Sequence, residues 1–399
     1  MKFGVQFFPD VKPEQKSAAQ YFDEALALAE EGDRLGFSHI RIVEHYFHYY
    51  GGYSPNPIVF LAAAAQRTRH ARLVTGAVLP VFNHPLKLAG EIGMLDAISG
   101  GRLDVGFARA FLPHEFRRFG RSPDESVARF REGLEQVELL LTEENVTHHG
   151  RFHVIENTTS LPRPTQRPRP KFYIAAQNTA DSFAFAGRMG YSVMAIPLTG
   201  AAMRPLLATY RTAWQEAGHP GTGEVMLAFH TFCAEDGEVA RAVASPLLDA
   251  YLRSIVDAAG DWLDGRVSAD YPGYDRMIAK LRETTAADQI ANGAAWIGSP
   301  DQIAAQIART SDAFGPYEHA SLQFNFNMMP LDAALRLDAA LRRAGHAVLY
   351  RGAVIWLLFA ATKGRERPCA NLSLSANCRR SAVRNDRLCA RPHRNPMQL

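Results

Sequence analysis

A histidine that could exchange a proton stands where an apolar segment near the start of the chain ends. Ile42 and Val43 complete this segment, and Glu44 and His45 follow directly. An imidazole changes its charge near neutral pH, which makes His45 a candidate general acid or base. Side chains alternate along a strand, so Glu44 and His45 should face opposite ways unless the chain bends there. The alternative for His45 is a structural histidine, hydrogen-bonded to a neighbour at the rim of the fold.

Metal binding is the other chemistry that this segment suggests. Glu44, His45 and His48 could supply three ligands, but the sequence shows no fourth. His148 and His149 lie elsewhere, before a glycine in a segment typical of a surface turn. We therefore predict a site without a metal ion.

A second candidate site combines a positive charge with the start of a helix. Arg109 follows one apolar segment, and Gln177, Asn178 and Thr179 lie between another apolar segment and a helical pattern. The first N–H groups of a helix and its positive dipole end suit a phosphate group. Arg109 could instead form an ion pair at the rim, and Asn178 or Thr179 could simply cap the helix. Taken together, these residues predict a phosphate cradle.

Eight apolar, strand-like segments alternate with helical patterns along most of the chain. They span residues 3–8, 39–43, 72–79, 103–108, 172–176, 192–196, 225–233 and 321–326. Several are apolar on both faces, which is typical of parallel strands that helices cover. The alternation predicts an α/β fold, a (β/α)8 TIM barrel, with a doubly wound open sheet as the alternative. The sequence shows no early glycine-rich strand-to-helix turn of the dinucleotide-binding type, which disfavours the open sheet.

A barrel would bring the candidate residues together, because active sites of this fold lie at the carboxyl ends of the strands. His45 follows the second predicted strand, Arg109 the fourth, and Gln177 the fifth, while Thr75 and Gly76 lie near the end of the third. The barrel therefore predicts one site that holds both an acid–base group and a phosphate cradle.

Two stretches depart from the regular spacing, and the composition changes near the end. Residues 142–171 form a connection with a proline-rich run, and residues 235–318, an extended segment before the eighth strand, predict extra helices or a lid. We expect the barrel domain to cover residues 1–344.

Residues 345–399 hold ten Lys and Arg against two acids, and three of the four cysteines. They predict an appended, basic, disordered tail.

The composition also limits the partners that we expect. The net charge of +3 is too small to indicate nucleic acid. The apolar stretch at residues 347–361 contains Arg351 and is shorter than the roughly 20 residues that a membrane-spanning helix needs. The cysteines suggest no disulfide framework, and the first residues lack a signal-peptide pattern. These features predict a cytoplasmic protein that contacts neither nucleic acid nor membrane.

Four segments, in order along the chain, carry a family resemblance. They are VEHYF at 43–47, VLPVFNHPLKLAGEIGMLDAISGGRLDVGFARAFLPHEFRRFG at 78–120, LPRPTQRPRPKFYIAAQN at 161–178 and WIGSPDQIAAQI at 296–307. With these segments the chain resembles the luciferase-like flavin-dependent monooxygenases, the superfamily of the bacterial luciferase α chain. The second segment is long and specific, with aliphatic, glycine and arginine positions in register. The resemblance ends near residue 344.

The resemblance implies a (β/α)8 barrel that binds reduced FMN at its mouth. Such an enzyme forms a flavin hydroperoxide with O₂ and oxidises an organic substrate, here an aldehyde, a ketone or a natural-product intermediate. The reduced flavin would come from a separate NAD(P)H-dependent flavin reductase, and the resemblance suggests a homodimer.

The resemblance also implies roles for individual residues. His45, with Glu44 before it, falls on the family's active-site histidine, and Tyr46 replaces the histidine that usually follows. Arg109 falls on the arginine that binds the flavin phosphate. Glu115 falls on an aspartate of the flavin-site loop.

Two further segments correspond to flavin-binding positions of the family. Gln177 and Asn178, within the segment from Ala176 to Thr179, fall on the polar pair at the phosphate end. Thr75 and Gly76 fall where the family carries a cis peptide bond beneath the isoalloxazine ring. We therefore predict a cis bond between these two residues.

Two other functions remain open. A deazaflavin-dependent dehydrogenase or reductase of the same superfamily would transfer hydride without oxygen. A non-catalytic subunit could support a catalytic homologue, although His45 and Arg109 argue against this reading.

Overall fold

The structure is a computed structural model that describes residues 1–265 and 268–335. Within them, the strands are β1 (Lys2–Phe7), β2 (His39–Ile42), β3 (Arg72–Val78), β4 (Leu103–Phe107), β5 (Val146–His149), β6 (Val154–Thr158), β7 (Lys171–Ala175), β8 (Ser192–Ala195), β9 (Val225–Cys233), β10 (Ala295–Gly298) and β11 (His319–Gln323). The α-helices are α1 (Ala18–Arg34), α2 (Pro57–Arg67), α3 (Pro85–Ile98), α4 (Pro113–Arg118), α5 (Ser126–Thr142), α6 (Ala180–Arg188), α7 (Met203–Glu216), α8 (Gly237–Ala258), α9 (Tyr274–Glu283), α10 (Ala286–Ala291), α11 (Pro300–Phe314) and α12 (Leu331–Leu335). The predicted tail at 345–399 and the predicted domain end at residue 344 lie outside the described residues.

Eight parallel strands close into the predicted TIM barrel. Their order around the barrel is β1, β2, β3, β4, β7, β8, β9 and β11, and β11 pairs again with β1. Every residue of β2, β4 and β9 is buried, because helices cover the outside of the barrel and side chains fill its inside. The parallel pairing places the carboxyl ends of all eight strands at one end of the barrel.

One strand of the nine-stranded sheet, β10, is missing from the prediction. β10 pairs with residues 230–233 of β9, whereas β11 pairs with residues 226–230. β9 is nine residues long, so its two halves can serve two different neighbours. The segment of β10 has only four residues, AWIG, and such a short run gives no clear periodicity.

The two irregular stretches contain secondary structure of their own. Residues 142–171 include the antiparallel hairpin of β5 and β6, which the sequence did not indicate. Residues 235–318 hold α8, α9, α10 and α11, in agreement with the expected extra helices. α11 begins with a capping box between Ser299 and Gln302, followed by Pro300 in its first turn. None of the helices in the described ranges has the length and apolar character needed to cross a bilayer.

The barrel interior is more polar than the layer between strands and helices. The outer layer forms one large apolar cluster, while a small second cluster contains Val74, Ala77, Tyr173, Met194 and Met226. Polar side chains occupy other interior positions. His39 Nε2, for example, lies 3.0 Å from Ser321 Oγ. The barrel therefore tolerates buried polar groups that bond to one another.

Candidate active site

A cavity of about 1030 Å³, including its open mouth, lies at the carboxyl ends of the barrel strands. The residues at and after the ends of β2, β3, β4, β7 and β8 supply most of its wall, and α8 and α9 close one side. Seven predicted site residues line this cavity, namely Glu44, His45, Gly76, Arg109, Ala176, Gln177 and Thr179. Thr75, Glu115 and Asn178 are not part of the wall. The barrel thus brings most of the predicted residues to one place.

A fully buried carboxylate holds the ring of His45. His45 Nδ1 lies 3.1 Å from Oε1 of Glu115, and the same oxygen accepts the backbone N–H of Tyr46 at 2.9 Å. Because this oxygen already accepts the Tyr46 N–H, it also meets Nδ1 as an acceptor, which assigns the ring proton to Nδ1 and leaves Nε2 as the proton acceptor. A general base requires this arrangement, in which a third group orients the imidazole.

Glu115 was predicted to bind the flavin, and the structure shows its contact with His45. It lies in the first turn of α4, which begins at Pro113, and its side chain has no exposed surface. Oε1 contacts His45, and Oε2 meets no donor in the described part of the chain. A similarity in one loop could not reveal this pairing, because His45 is 70 residues away in sequence.

Aromatic rings pack around His45 and exclude solvent from it. Ring centroids of Phe8, Tyr50 and Phe111 lie 5.4, 5.3 and 6.0 Å from the imidazole centroid. The loop that follows β2 comes very close, because a Cβ atom at Gly51 would lie 2.7 Å from the His45 ring. Gly51 also has a φ of +78°, which favours glycine. The imidazole therefore occupies a preformed, mostly apolar pocket.

Glu44 borders the same cavity but bonds in a different direction. Its Oε1 accepts the Tyr46 hydroxyl at 2.5 Å and Nδ2 of Asn83 at 2.9 Å. Burial is the main cause that raises the pKa of Glu44 to about 8, although these hydrogen bonds oppose the shift. Glu44 is therefore a neutral acid near pH 7 on the wall of the same cavity as His45.

Replacing Glu44 with glutamine is expected to stabilise the protein, more strongly at pH 8 than at pH 5. The folded protein keeps the carboxyl group neutral up to about pH 8, whereas the unfolded chain ionises it near pH 4.5. The free energy of unfolding of the wild type therefore falls as the pH rises through this window. Glutamine removes this loss, which is on the order of 3 kcal/mol. Thermal unfolding of the wild type and of Glu44→Gln at pH 5 and pH 8 measures the difference in stability. An increase in Tm that is equal at the two pH values would contradict a neutral Glu44.

Arg109 supplies a cation at the other end of the cavity. Nη1 donates to the backbone oxygen of Asp270 at 2.9 Å, and the guanidinium lies over the Tyr271 ring at 4.9 Å. Its Nε and Nη2 meet no acceptor in the described residues. Arg109 also borders a second cavity of about 700 Å³, which shares Thr179 and Ser182 with the first. The arginine thus has unused donors where the two cavities meet.

The residues after β7 leave the start of α6 open. Thr179 precedes this helix, and its Oγ1 lies 2.7 Å from Ser182 Oγ rather than capping a backbone N–H. Gln177 is occupied, because its Nε2 donates to the Ile196 backbone oxygen at 2.5 Å. Asn178 Nδ2 contacts Met277 Sδ. The uncapped N–H groups of α6 therefore remain available to an anion, and Gln177 positions the strand end beside them.

The predicted cis peptide bond is one residue out of place. The cis bond joins Gly76 and Ala77, not Thr75 and Gly76. Thr75 still pairs in register with Val105, and its hydroxyl exchanges hydrogen bonds with the Gly106 backbone at 3.0 and 2.9 Å. The regular ladder therefore extends through Thr75, and the irregularity begins after it. Thr75 is buried between strands and does not reach the cavity.

Arg41 is a charged residue of the cavity wall that the sequence prediction did not include. This arginine lies within β2 and is 3% exposed. A signal was present, because Arg41 is the one charged residue in the apolar run IRIV. A charge inside a strand that is buried on both faces indicates a functional candidate.

No cluster of three or more His, Cys, Asp and Glu side chains in residues 1–265 and 268–335 is placed to hold a metal ion. His48, considered as a ligand, instead accepts the backbone N–H of Tyr50 at 3.1 Å through its Nδ1. The donors that converge on the cavity are the Arg109 guanidinium and the N terminus of α6, and the His45 imidazole adds an acceptor. They suit an anionic organic ligand.

Comparison with known proteins places this geometry in context. A family model described as luciferase-like monooxygenase matches residues 1–315. The oxygenase component of flavin-dependent trigonelline monooxygenase from Acinetobacter baylyi is 33% identical over 251 residues, which cover 62% of this chain and 69% of that protein.

Solved structures share the fold. Monooxygenase RslO1 from Streptomyces bottropensis has a TM-score of 0.77 and 43% identity, covering 88% of this chain and all of that one. The oxygenating constituent of 3,6-diketocamphane monooxygenase from Pseudomonas putida, a type II Baeyer–Villiger monooxygenase solved in complex with FMN, has a TM-score of 0.68. It is 24% identical and covers 81% of this chain and 91% of that one, so it supports the fold alone.

Proposed function

This chain belongs to the luciferase-like monooxygenase family, and we propose that it is an oxygenase component that uses reduced FMN and O₂ to oxidise an organic substrate. One observation carries the proposal: His45, oriented by Glu115, and Arg109 border the same cavity. One end of this cavity offers a cation and an open helix N terminus. The other end offers a proton acceptor among aromatic rings. A phosphorylated redox cofactor and a substrate that exchanges a proton fit these two ends.

The residues present fit FMN. Arg109 and the first N–H groups of α6 would hold the phosphate, because guanidinium and helix N termini both bind phosphate oxygens well. Thr179 and Ser182 add hydroxyl groups at this end. The wall between the two ends contains Ala108 and Ala176, whose small side chains leave space for a flat ring.

The protein and the flavin would divide the work. Bound reduced FMN supplies two electrons to O₂, so that one oxygen atom enters the substrate and the other leaves as water. His45 would accept or return a proton at Nε2, and Glu115 would keep this nitrogen free. Phe8, Tyr50 and Phe111 would exclude water from the reacting groups.

The proposal extends to a partner protein, an oligomeric state, a location and a substrate class. A separate NAD(P)H-dependent flavin reductase would deliver reduced FMN, which agrees with the name of the trigonelline relative as an oxygenase component. A homodimer and a cytoplasmic location stay predictions. The substrate class also stays a prediction, namely an aldehyde, a ketone or a natural-product intermediate.

The decisive experiment follows oxygen atoms. The protein is loaded anaerobically with reduced FMN, or with reduced deazaflavin in a parallel sample, and mixed with ¹⁸O₂ and a panel of ketones, aldehydes and N-heteroaromatic acids. We expect reduced FMN to bind, O₂ to be consumed, and one ¹⁸O atom to appear in a product. Binding of deazaflavin but not FMN, with hydride transfer and no ¹⁸O in product, would instead establish the dehydrogenase alternative.

Replacing Glu115 with glutamine is expected to lower kcat about tenfold while KM for the substrate changes little. Glutamine has nearly the same shape, but its amide can present a donor to Nδ1 and so allow the wrong tautomer. Steady-state kinetics measures the effect. Glu115→Asp retains the carboxylate and should recover part of the rate. An equal loss in both variants would indicate that Glu115 only packs the site.

A further inference from the structure

Below the cavity, the barrel contains a layer of four polar side chains, where barrel interiors usually hold branched apolar ones. Gln6, Arg41, His230 and Gln323 come from β1, β2, β9 and β11. Gln6 is in register with Arg41, and Gln323 with His230. Gln6 Nε2 donates to Gln323 Oε1 at 3.2 Å, which joins the two pairs. Burying such a layer costs free energy unless every polar group has a hydrogen-bond partner, and His230 Nε2 and Gln323 Nε2 have none among the described residues.

Arg41 is a buried positive charge for which the described part of the chain supplies no counter-ion. Nη1 donates to Gln6 Oε1 at 2.7 Å, and Nη2 donates to the Gly76 backbone oxygen at 3.2 Å. Both acceptors are neutral, and Nε has no hydrogen-bond partner within residues 1–265 and 268–335. No carboxylate of the described residues forms an ion pair with Arg41. Burial lowers the pKa of Arg41 to about 10, which still leaves the guanidinium charged at neutral pH. The desolvation of such a charge costs several kcal/mol, and the visible contacts do not offset it.

The backbone of β3 makes room for this charge beside the cavity. A Cβ atom at Gly76 would lie 2.1 Å from Arg41 Nε, so only glycine allows the guanidinium to occupy this place. Arg41 borders the cavity together with Gly76, Ala77 and Met194. Because Gly76 has no Cβ, the Arg41 guanidinium fits at the floor of the proposed flavin site. It is a permanent cation there, with one N–H still available to a ligand.

We propose that Arg41 forms an anion site at the floor of the cavity and that its ligand is the negatively charged isoalloxazine ring of reduced FMN. This inference rests on the proposed function. The charge of a reduced flavin is delocalised over nitrogen and oxygen atoms of one ring edge, and a planar guanidinium suits such an anion. A positive charge near this edge stabilises the reduced flavin over the oxidised one. A substrate carboxylate is the other possible source of the anion.

Anaerobic binding measurements test the proposal. Dissociation constants of oxidised and reduced FMN are measured for the wild type, for Arg41→Met and for Gln323→Met. Methionine fills a volume similar to that of arginine, and the loss of a buried charge offsets the loss of two hydrogen bonds, so we expect Arg41→Met to fold. Gln323→Met is the matched control, because it makes a polar layer residue apolar but leaves the charge in place.

We expect the wild type and Gln323→Met to bind reduced FMN at least about tenfold more tightly than oxidised FMN, and Arg41→Met to lose this preference. Tenfold corresponds to a rise of about 30 mV in the two-electron potential of the bound flavin. Arg41→Lys keeps the positive charge but not the planar guanidinium with its paired donors. We expect it to retain part of the preference for reduced FMN.

Several results would overturn the assignment. One is a wild type that binds both forms of FMN equally, which tests the idea even if no Arg41 variant folds. Another is an unchanged preference in Arg41→Met, or an equal loss in Gln323→Met. A third is wild-type binding of benzoate that Arg41→Met abolishes while the FMN preference stays, which would assign the anion to the substrate. Failure of the proposed function is distinct, because the wild type would then bind neither form of FMN.

Discussion

Replacing His45 with asparagine is expected to lower the rate of substrate oxygenation by roughly 10²–10⁴-fold, the usual contribution of a general acid or base. Asparagine can still donate to Glu115 through its amide, so the buried carboxylate keeps a partner. The asparagine side chain, however, has no nitrogen that can take up a proton near neutral pH. FMN binding should change little, because the cation and the open helix N terminus lie at the other end of the cavity.

The measurement compares product formed with O₂ consumed. In the variant we expect reduced FMN to be reoxidised by O₂ as before, while the oxygen appears as hydrogen peroxide rather than in product. His48→Asn is the matched control. His48 is close in sequence but is not among the residues that line the cavity, and its Nδ1 accepts the Tyr50 backbone N–H. A His45→Asn protein with a normal ratio of product to O₂ would show that His45 is structural.

The residues that both the sequence and the structure place at the strand ends depend on local patterns. An apolar strand followed by Glu44 and His45 identifies a strand end, and the barrel rule then places that end at the cavity. Arg109 and Thr179 follow from the same reasoning, applied to β4 and β7. Each needs only the strand boundary and the alternation of strands and helices, both of which are visible in the sequence.

The features that it missed depend on contacts between distant segments. Glu115 could not be paired with His45, because nothing in the α4 sequence shows which way its carboxylate points. The position of the cis bond depends on the residue at which the β3 ladder becomes irregular. The sequence pattern does not locate that residue to within one position. β10 is short and pairs with half of a strand that already has a partner. Arg41 differs from these cases, because its charge was visible and only its buried position was not.

Arg109 carries the second large effect that we expect. Replacing it with methionine should weaken FMN binding by at least about a hundredfold and leave riboflavin binding nearly unchanged. The reason is that each hydrogen bond between a guanidinium and a phosphate contributes about 1.5–3 kcal/mol, and Nε and Nη2 are both available. Riboflavin has the same ring and ribityl chain but no phosphate. Its dissociation constant therefore reports every contact of the ligand except the proposed contact between Arg109 and the phosphate. Fluorescence titration with both ligands gives the two dissociation constants.

Arg131 provides a matched control for charge near the same site. It lines the second cavity with Arg109, but it already pairs with Asp181 at 2.8 Å and is 44% exposed. An exposed pair of this kind contributes little, so Arg131→Met should weaken FMN binding far less than Arg109→Met. Equal loss of FMN and riboflavin in Arg109→Met would argue against a phosphate contact. It would instead point to the stacking of Arg109 on Tyr271 as the feature that keeps the mouth of the cavity in shape.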